Sequence, residues 1–139
     1  MASLIYDSVV RDEAVGNVNF GVDVFWAMLV TSLYVANKKT HTKRSDVTNE
    51  VVGTGYTAGG QVCAVSVAAT DTTNDRVVIT LGAESWATAT ITARGIVYYK
   101  RRGGVATADE LVAFDDFGVD VTSTAGTFAV AATTITKQN

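Results

Sequence analysis

Apolar residues recur at alternate positions over most of this chain, which is the spacing of β-strands. From residue 22 to residue 30 both sets of alternate positions are apolar except for Asp23. That pattern predicts an inner strand that is covered on both of its faces. Residues 61–69 and 76–81 also read as strands, and the segment 71–75 between them is rich in side chains that bond their own backbone. These two strands are predicted to pair as a hairpin.

The second half of the chain contains three more predicted strands. The longest covers 88–100, with a bulge at Arg94–Gly95, and the others cover 111–117 and 127–136. On the longest strand, simple alternation places one apolar set on a single face: Ile91, Ala93, Val97 and Tyr99. Trp86 is assigned to a short edge segment before this strand. The last three residues are predicted to form a frayed end.

Two short helices and one loop complete the predicted elements. Residues 4–15 place apolar side chains at helical spacing before the stop signal Gly16-Asn17. A second helix is predicted from Ser45 or Asp46, either of which can cap it, to Val52, with Gly53 in the left-handed position at its end. Residues 31–44 show no clear period and carry many basic side chains, so they are predicted to form an exposed loop.

These elements predict a mainly β fold, an antiparallel β-sandwich or open barrel of about six to eight strands with one or two short flanking helices. The abundance of Val and Thr supports this class, because β-branched residues favour pleated surfaces. The 139 residues are expected to form a single domain, 1–139, with a helix at about 4–15, a basic loop at 31–44 and a β-rich core at 61–136. The chain has no proline, so edge strands must be protected by charge, by bulges or by pairing with a neighbour, and such pairing would make an oligomer.

Charge is distributed unevenly although the net charge is only −3. Basic residues cluster in two segments and acidic residues in a third. Opposite patches on one small domain suit contacts between copies or with a larger assembly, because complementary fields fix the register of a contact. Solvated loop charges are the simpler alternative. The residues predicted to form an interface are Lys38, Lys39, Lys43, Arg44, Lys100, Arg101, Arg102, Asp109, Glu110, Asp115, Asp116 and Asp120.

No group of residues has the recognisable pattern of an enzyme site. His41 is the only histidine, and no nucleophile motif such as Gly-x-Ser-x-Gly accompanies it. Cys63 is the only cysteine; it lies in an apolar run typical of a small buried residue, and with one histidine it does not make a zinc site. The glycine-rich segment 53–60 lacks the Lys-Ser/Thr of a phosphate-binding loop and is predicted to be a structural turn. We therefore expect a protein that is not an enzyme and has no catalytic residues, cofactor or metal.

Two classes of partner are not expected from the sequence. The acidic overall composition counts against nucleic acid, although the basic clusters keep that alternative open. No apolar run reaches the length of about 18 residues that spans a bilayer, so no membrane partner is expected. The first residues, Met1–Leu4, lack the basic and apolar regions of a signal peptide, which predicts a protein made in a cytoplasm.

Several segments, spread over nearly the whole chain, carry a resemblance to a known family. They are Met28–Ser32 with Tyr34, Thr40–Val51, Gly53–Gly60, Trp86, Ala89–Gly95, Tyr99–Lys100 with Arg102–Gly104, Ala108–Ala113 and Asp116–Gly118. In these segments the chain resembles a family of small virion structural proteins of tailed bacteriophages. The family supplies no catalytic residues.

The resemblance implies a component present in many copies on a phage particle, made in the host bacterial cytoplasm and located on the virion. A capsid decoration or cement protein is favoured, and a neck, tail or fibre-associated structural protein is the alternative. The implied partners are the major capsid protein or other virion proteins, together with copies of the chain itself, with a trimer favoured over a dimer. A carbohydrate-binding adhesion module is the alternative of another class, and it would expose on one face at least two of four aromatic residues: Trp26, Tyr34, Tyr56 and Trp86.

Overall fold

The computed structural model describes all residues from 1 to 139. The fold is mainly β, as predicted, with two antiparallel sheets of five and three strands and one α-helix. The elements are β1 (Leu4–Ile5), α1 (Asp7–Ala14), β2 (Phe25–Val30), β3 (Gln61–Cys63), β4 (Val65–Val67), β5 (Arg76–Leu81), β6 (Glu84–Lys100), β7 (Leu111–Val130) and β8 (Thr133–Gln138). The α-helix has eight residues, and no helix of the structure is long and apolar enough to cross a membrane.

One long antiparallel ribbon makes up the second half of the molecule. One side of the ribbon is β5 followed by β6, and the other side is β7 followed by β8. The two sides pair from Arg76–Gln138 at one end to Tyr99–Leu111 at the other, where the loop 101–110 forms the tip. The ribbon passes from one sheet to the other where both of its strands break, at 82–83 and 131–132. The larger sheet has the order β1-β7-β6-β2-β3 and the smaller one β4-β5-β8.

The hairpin predicted from 61–69 and 76–81 is present only in part. Its first strand divides at Ala64, so that β3 pairs with β2 in one sheet and β4 pairs with β5 in the other. At the division, the Gly82 N–H donates to the Ala64 carbonyl oxygen at 2.7 Å. The segment around Ala64 therefore connects the two sheets at one place, and the ribbon connects them at another.

Strand β2 is buried on both faces, as its sequence pattern predicts. The larger core cluster, of 22 buried residues, includes its side chains Phe25, Ala27 and Leu29. The smaller cluster, of eight buried residues, includes Met28 and Val30. The strand begins at Phe25 and not at residue 22, and the side chains of Val22 and Val24 are exposed.

The bulge predicted at Arg94–Gly95 is confirmed, because the pairing of β6 with β7 shifts register between Ala93 and Gly95. A bulge reverses the alternation of side chains along a strand. Ile96 and Tyr98 therefore join Ile91 and Ala93 in the larger cluster, whereas Val97 and Tyr99 lie in the smaller cluster. The single face predicted for Ile91, Ala93, Val97 and Tyr99 was wrong for this reason.

The helix predicted from residue 45 to Val52 is also wrong. Asp46 does cap a turn, since its carboxylate accepts hydrogen bonds from the N–H groups of Thr42 and Lys43 at 2.9 and 3.0 Å. That turn is a single 3-10 turn, Arg44–Asp46, and extended chain follows it. The following residues are rich in β-branched side chains, which favour extended backbone. Gly53 does not have the predicted left-handed conformation; the positive φ values of this region belong to Asn49 and, further on, to Gly55, Gly59 and Gly60.

Several predicted boundaries near the chain ends are corrected. Residues 4–15 form β1 and α1, not one helix. The predicted strands 111–117 and 127–136 are replaced by β7, which runs without interruption to Val130, and by β8. Lys137 is not frayed but lies in β8 and pairs with Glu13. Trp86 is not on a short separate segment but is buried within the long strand β6, between β7 and the glycine-rich turn, and at this position β6 pairs only with β7.

Candidate functional site

The predicted basic loop and the tip of the ribbon lie side by side. The Arg44 N–H donates to the Asp109 carbonyl oxygen at 2.8 Å, and the Leu111 N–H donates to the Thr42 carbonyl oxygen at 3.1 Å. A 3-10 turn stands on each side of this contact, at 44–46 and at 106–108. Two basic segments that are far apart in sequence therefore form one surface, residues 38–46 and 100–110, which we call the basic end.

Two buried acids hold the basic end together. The Glu110 carboxylate, 2% exposed, accepts hydrogen bonds from Nε of Arg102 at 3.0 Å to both oxygens and lies 3.5 Å from Nζ of Lys43. The Asp109 carboxylate accepts from Nε of Arg44 at 2.8 Å and from the Arg102 backbone N–H at 2.9 Å. Buried carboxylates need such partners, since an unpaired buried charge is strongly unfavourable. The network therefore fixes the loop to the ribbon tip.

The electrostatics of this network favour the ionised forms of its members. Burial acts to raise the pKa of the Glu110 carboxyl, but the hydrogen bond from Arg102 and the charge of Lys43 outweigh it and hold the pKa below the usual value of 4.5. The same hydrogen bond raises the pKa of the Arg102 guanidinium. A catalytic acid or base needs a pKa near the working pH. This carboxylate is suited to be a fixed structural anion instead.

Two further basic residues also make contacts within the fold. Nζ of Lys100 lies 2.9 Å from the Asp23 carboxylate, and both side chains are largely buried. The Arg101 guanidinium stacks over the Trp26 ring, with its carbon 4.0 Å from the ring centroid. Such cation–π contacts stabilise both partners by about 0.5–2 kcal/mol. These two basic side chains therefore order the ribbon tip against β2.

Lys38 and Lys39 are the cations of the basic end that contact neither a largely buried acid nor an aromatic ring. Lys38 makes one ion pair, 3.5 Å from Asp7, in which both side chains are about half exposed. Lys39 is exposed and has no carboxylate within ion-pair distance. The tip presents Gly103 and Gly104, which have no neighbouring atoms at their Cβ positions, and the exposed side chain of Val105.

The predicted acidic partners on β7 lie apart from this network and find their contacts elsewhere. The Asp115 carboxylate accepts from the Ser3 hydroxyl at 2.7 Å. Nε of Arg94 donates to Asp116 at 3.1 Å, and the Arg94 guanidinium lies 3.8 Å from Asp120. The structure thus joins Lys43, Arg44 and Arg102 with Asp109 and Glu110, but it does not bring Asp115, Asp116 and Asp120 to them. The interface role of all these residues stays a prediction.

His41 belongs to a chain of hydroxyl groups that the sequence does not reveal. The Tyr6 and Tyr34 hydroxyls are 2.8 Å apart, and the Tyr34 hydroxyl is 2.9 Å from Nδ1 of His41. Burial raises the pKa of Tyr34, so its hydroxyl stays neutral at physiological pH. Because these residues are distant in sequence, no spacing rule predicts their contact. This series of hydrogen bonds connects the basic loop to Tyr6, at the start of α1.

The glycine-rich segment 53–60 is held by hydrogen bonds to the carboxylate of Glu50. The Glu50 carboxylate accepts from the Gly59 N–H at 2.7 Å and from the Tyr56 hydroxyl at 2.6 Å. The Tyr56 hydroxyl oxygen in turn accepts from the Leu29 N–H at 2.9 Å. This arrangement is a structural turn, as predicted, and Glu50 is the residue whose role sequence reasoning missed.

Cys63 is buried, as predicted. Burial and the neighbouring Glu84 raise the pKa of its thiol to about 12, so the thiol is protonated and unreactive at neutral pH. None of the four aromatic residues that would identify a sugar platform is exposed. Trp86 and Tyr34 are buried, and Trp26 and Tyr56 are half-buried.

Comparison with known proteins identifies no relative: no family model, no curated protein and no solved structure matches this chain.

Proposed function

We propose that this protein is a non-enzymatic structural component of a tailed bacteriophage virion. Within that class we propose a decoration or cement protein, which binds the assembled capsid shell in many copies. The resemblance described above supports the class. The basic end supports the mode of binding, and it is the single observation on which the proposal of surface attachment depends.

The basic end is suited to contact with an acidic surface because it is already ordered. Asp109 and Glu110 are buried and neutralise the cations that they anchor, including the partly exposed Arg102, so the solvent-facing cations without a buried acidic partner are Lys38 and Lys39. An ordered surface loses little conformational entropy on binding. Each copy would make a modest contact, and contacts with several neighbouring shell subunits would raise the overall affinity through effective concentration.

A particle map is the direct test of the location. In particles of a phage that encodes this chain, a cement protein occurs in a fixed ratio to the major capsid protein and lies on the outside of the shell. A few copies at the neck, the tail or a fibre would support the alternative position. Absence of the chain from purified particles would contradict the proposal as a whole.

Charge reversal at the two projecting lysines tests the mode of binding. The variant K38E/K39E should bind particles about tenfold or more weakly, because reversed charges repel an acidic surface. Its melting temperature should change little, since exposed substitutions alter stability by about 0.5 kcal/mol or less. Lys43 is left intact because it faces the buried Glu110.

The matched control reverses two exposed cations outside the basic end, Arg11 and Arg76. The variant R11E/R76E has the same change in net charge and should keep the occupancy of the unaltered protein on particles. Equal loss in both variants would indicate a non-specific charge effect. Unchanged occupancy for K38E/K39E would contradict the role of the basic end.

A further inference from the structure

The outer edge of β7 is the longest unpaired strand edge of the molecule. Strand β1 pairs only with Ala113 and Phe114, and the next backbone bond along this side is from the Ala2 N–H to the Thr134 carbonyl oxygen. Between these points β7 bonds only to β6, so the outward N–H and C=O groups of residues 117–130 have no backbone partner in the chain. Such an edge is a template for pairing with another strand.

This edge lacks the usual protection against association. From Val121 to Thr136 the chain contains no charged residue, and no proline occurs anywhere. The two acids just before this run, Asp116 and Asp120, lie beside Arg94 of the neighbouring strand. Bulges are the one kind of protective device present: the pairing of β7 with β6 shifts register before Val121, between Ser123 and Gly126 and between Gly126 and Phe128, and the first of these leaves the side chain of Val119 64% exposed.

An apolar groove runs beside the same edge. Its volume is about 320 Å³, and eight of its ten lining residues are hydrophobic. They include Met1 at the start of the chain together with Phe117, Val121, Phe128, Ala129 and Ala131. The edge therefore carries both an exposed apolar side chain, Val119, and an apolar groove that can receive one.

We infer that the β7 edge pairs with the same edge of a second copy of this chain, around a two-fold axis. In that arrangement Val119 of each copy faces the groove of the other, so the surface is self-complementary as an isologous contact requires. The charges favour an antiparallel arrangement over a parallel one. Antiparallel edges set the acidic end of each copy, Asp116 and Asp120, beside the uncharged end of the other, whereas parallel edges would stack like charges. The predicted product is a dimer, and a trimer would need a different, head-to-tail surface.

A lysine placed in the groove tests this contact on the purified full chain, with no particle present, so its result is independent of the proposed function. Sedimentation velocity should show a dimer for the unaltered protein at micromolar concentration. The variant A129K should be a monomer, and so should V119K, because a charge on a pairing edge opposes association. Both positions are exposed, so each variant should retain the circular dichroism spectrum and melting behaviour of a folded chain.

The control is A83K, which puts the same charge on an exposed residue between β5 and β6, on the side of the ribbon opposite β7. It should remain a dimer. A monomeric unaltered protein at 100 μM would overturn the inference. That concentration is on the order of ten times a low-micromolar dissociation constant, so a dimer of that affinity would be populated. A dimer or trimer that persists in both A129K and V119K would overturn it equally.

Discussion

Gly60, where the chain enters β3, shows how single backbone positions determine this fold. Its φ is +80°, and a Cβ atom added there would overlap the carbonyl oxygen of Ala27 on β2. Gly103, at the ribbon tip, has a similar φ of +86° but no neighbouring atom within 4 Å of that position. The two residues therefore share a conformational requirement and differ only in the space around them.

We predict that G60A lowers the free energy of unfolding by about 3 kcal/mol or more, because backbone strain and steric overlap act together. G103A should cost only about 1–2 kcal/mol, the cost of a left-handed backbone for a residue with a Cβ. Urea denaturation of both variants measures the difference. Equal losses would show that strands β2 and β3 are not held as closely as described.

At the scale of elements, the buried acids of the ribbon tip decide how the loop 31–44 is held. Arg102, Lys43 and Glu110 come from two segments more than fifty residues apart, and their ion pairs add to the two backbone hydrogen bonds that join these segments as a short antiparallel bridge. The loop is irregular, yet it is fixed at this point by backbone bonds and by charge. Its order should therefore depend in part on the ionisation of Glu110.

We predict that E110Q lowers the free energy of unfolding by about 1.5–3 kcal/mol at neutral pH, because the buried side chain loses its charge-assisted hydrogen bonds with the partly exposed Arg102. The exposed control D120N should change it by about 0.5 kcal/mol or less. Thermal denaturation at pH 7 measures both. A loss below about 1 kcal/mol for E110Q would mean that the network does not hold the tip.

The same carboxyl should contribute to acid sensitivity. The pKa of Glu110 is lower in the folded chain than in the unfolded chain, so its contribution is complete well above the unfolded value of 4.5 and is lost as the pH falls below it, through the folded pKa. E110Q should therefore lose less stability than the unaltered protein between about pH 4.5 and pH 3. Parallel denaturation curves over that range measure the comparison, and identical pH slopes would contradict it.

The sequence predicts the elements where one physical rule dominates. The two apolar faces of β2 and the bulge at Gly95 follow from local patterns, and the structure confirms them. The helix predicted at 45–52 is absent because the extended preference of the β-branched residues that follow outweighs the capping residue Asp46. The face predicted for Val97 and Tyr99 is wrong because the bulge reverses the alternation of side chains beyond Gly95.

The contacts of the candidate site were less predictable than the elements. Clustering of charge indicated Lys43, Arg102 and Glu110, but not that they would pair within one chain. A pairing of this kind depends on the register of β6 with β7, which brings Lys100 and Glu110 together across the tip. No local sequence pattern predicts that register, because the bulges between the two strands change it four times.

At the scale of the whole molecule, the two sheets are not separable units. The chain crosses between them at three places, after β3, after β5 and after β7. Unfolding of either sheet would therefore pull on strands of the other. Shared strands of this kind produce cooperative unfolding in small proteins. The fold should therefore behave as one thermodynamic unit.

We predict a single calorimetric transition with an enthalpy of about 100 kcal/mol near 60 °C, from the usual value per residue. The calorimetric and van't Hoff enthalpies should agree. The measurement is best made on A129K, so that dissociation of copies does not contribute to the heat. Two resolved transitions would show that the sheets unfold independently.

The burial of Cys63 leaves the surface of this protein without a thiol. A cysteine introduced at an exposed position, such as T107C beside the ribbon tip, would be the one thiol open to maleimide chemistry. A fluorophore or a gold cluster could then mark a chosen face of the molecule without removal of the native residue. The orientation of each copy on a larger assembly would become directly visible in an electron micrograph.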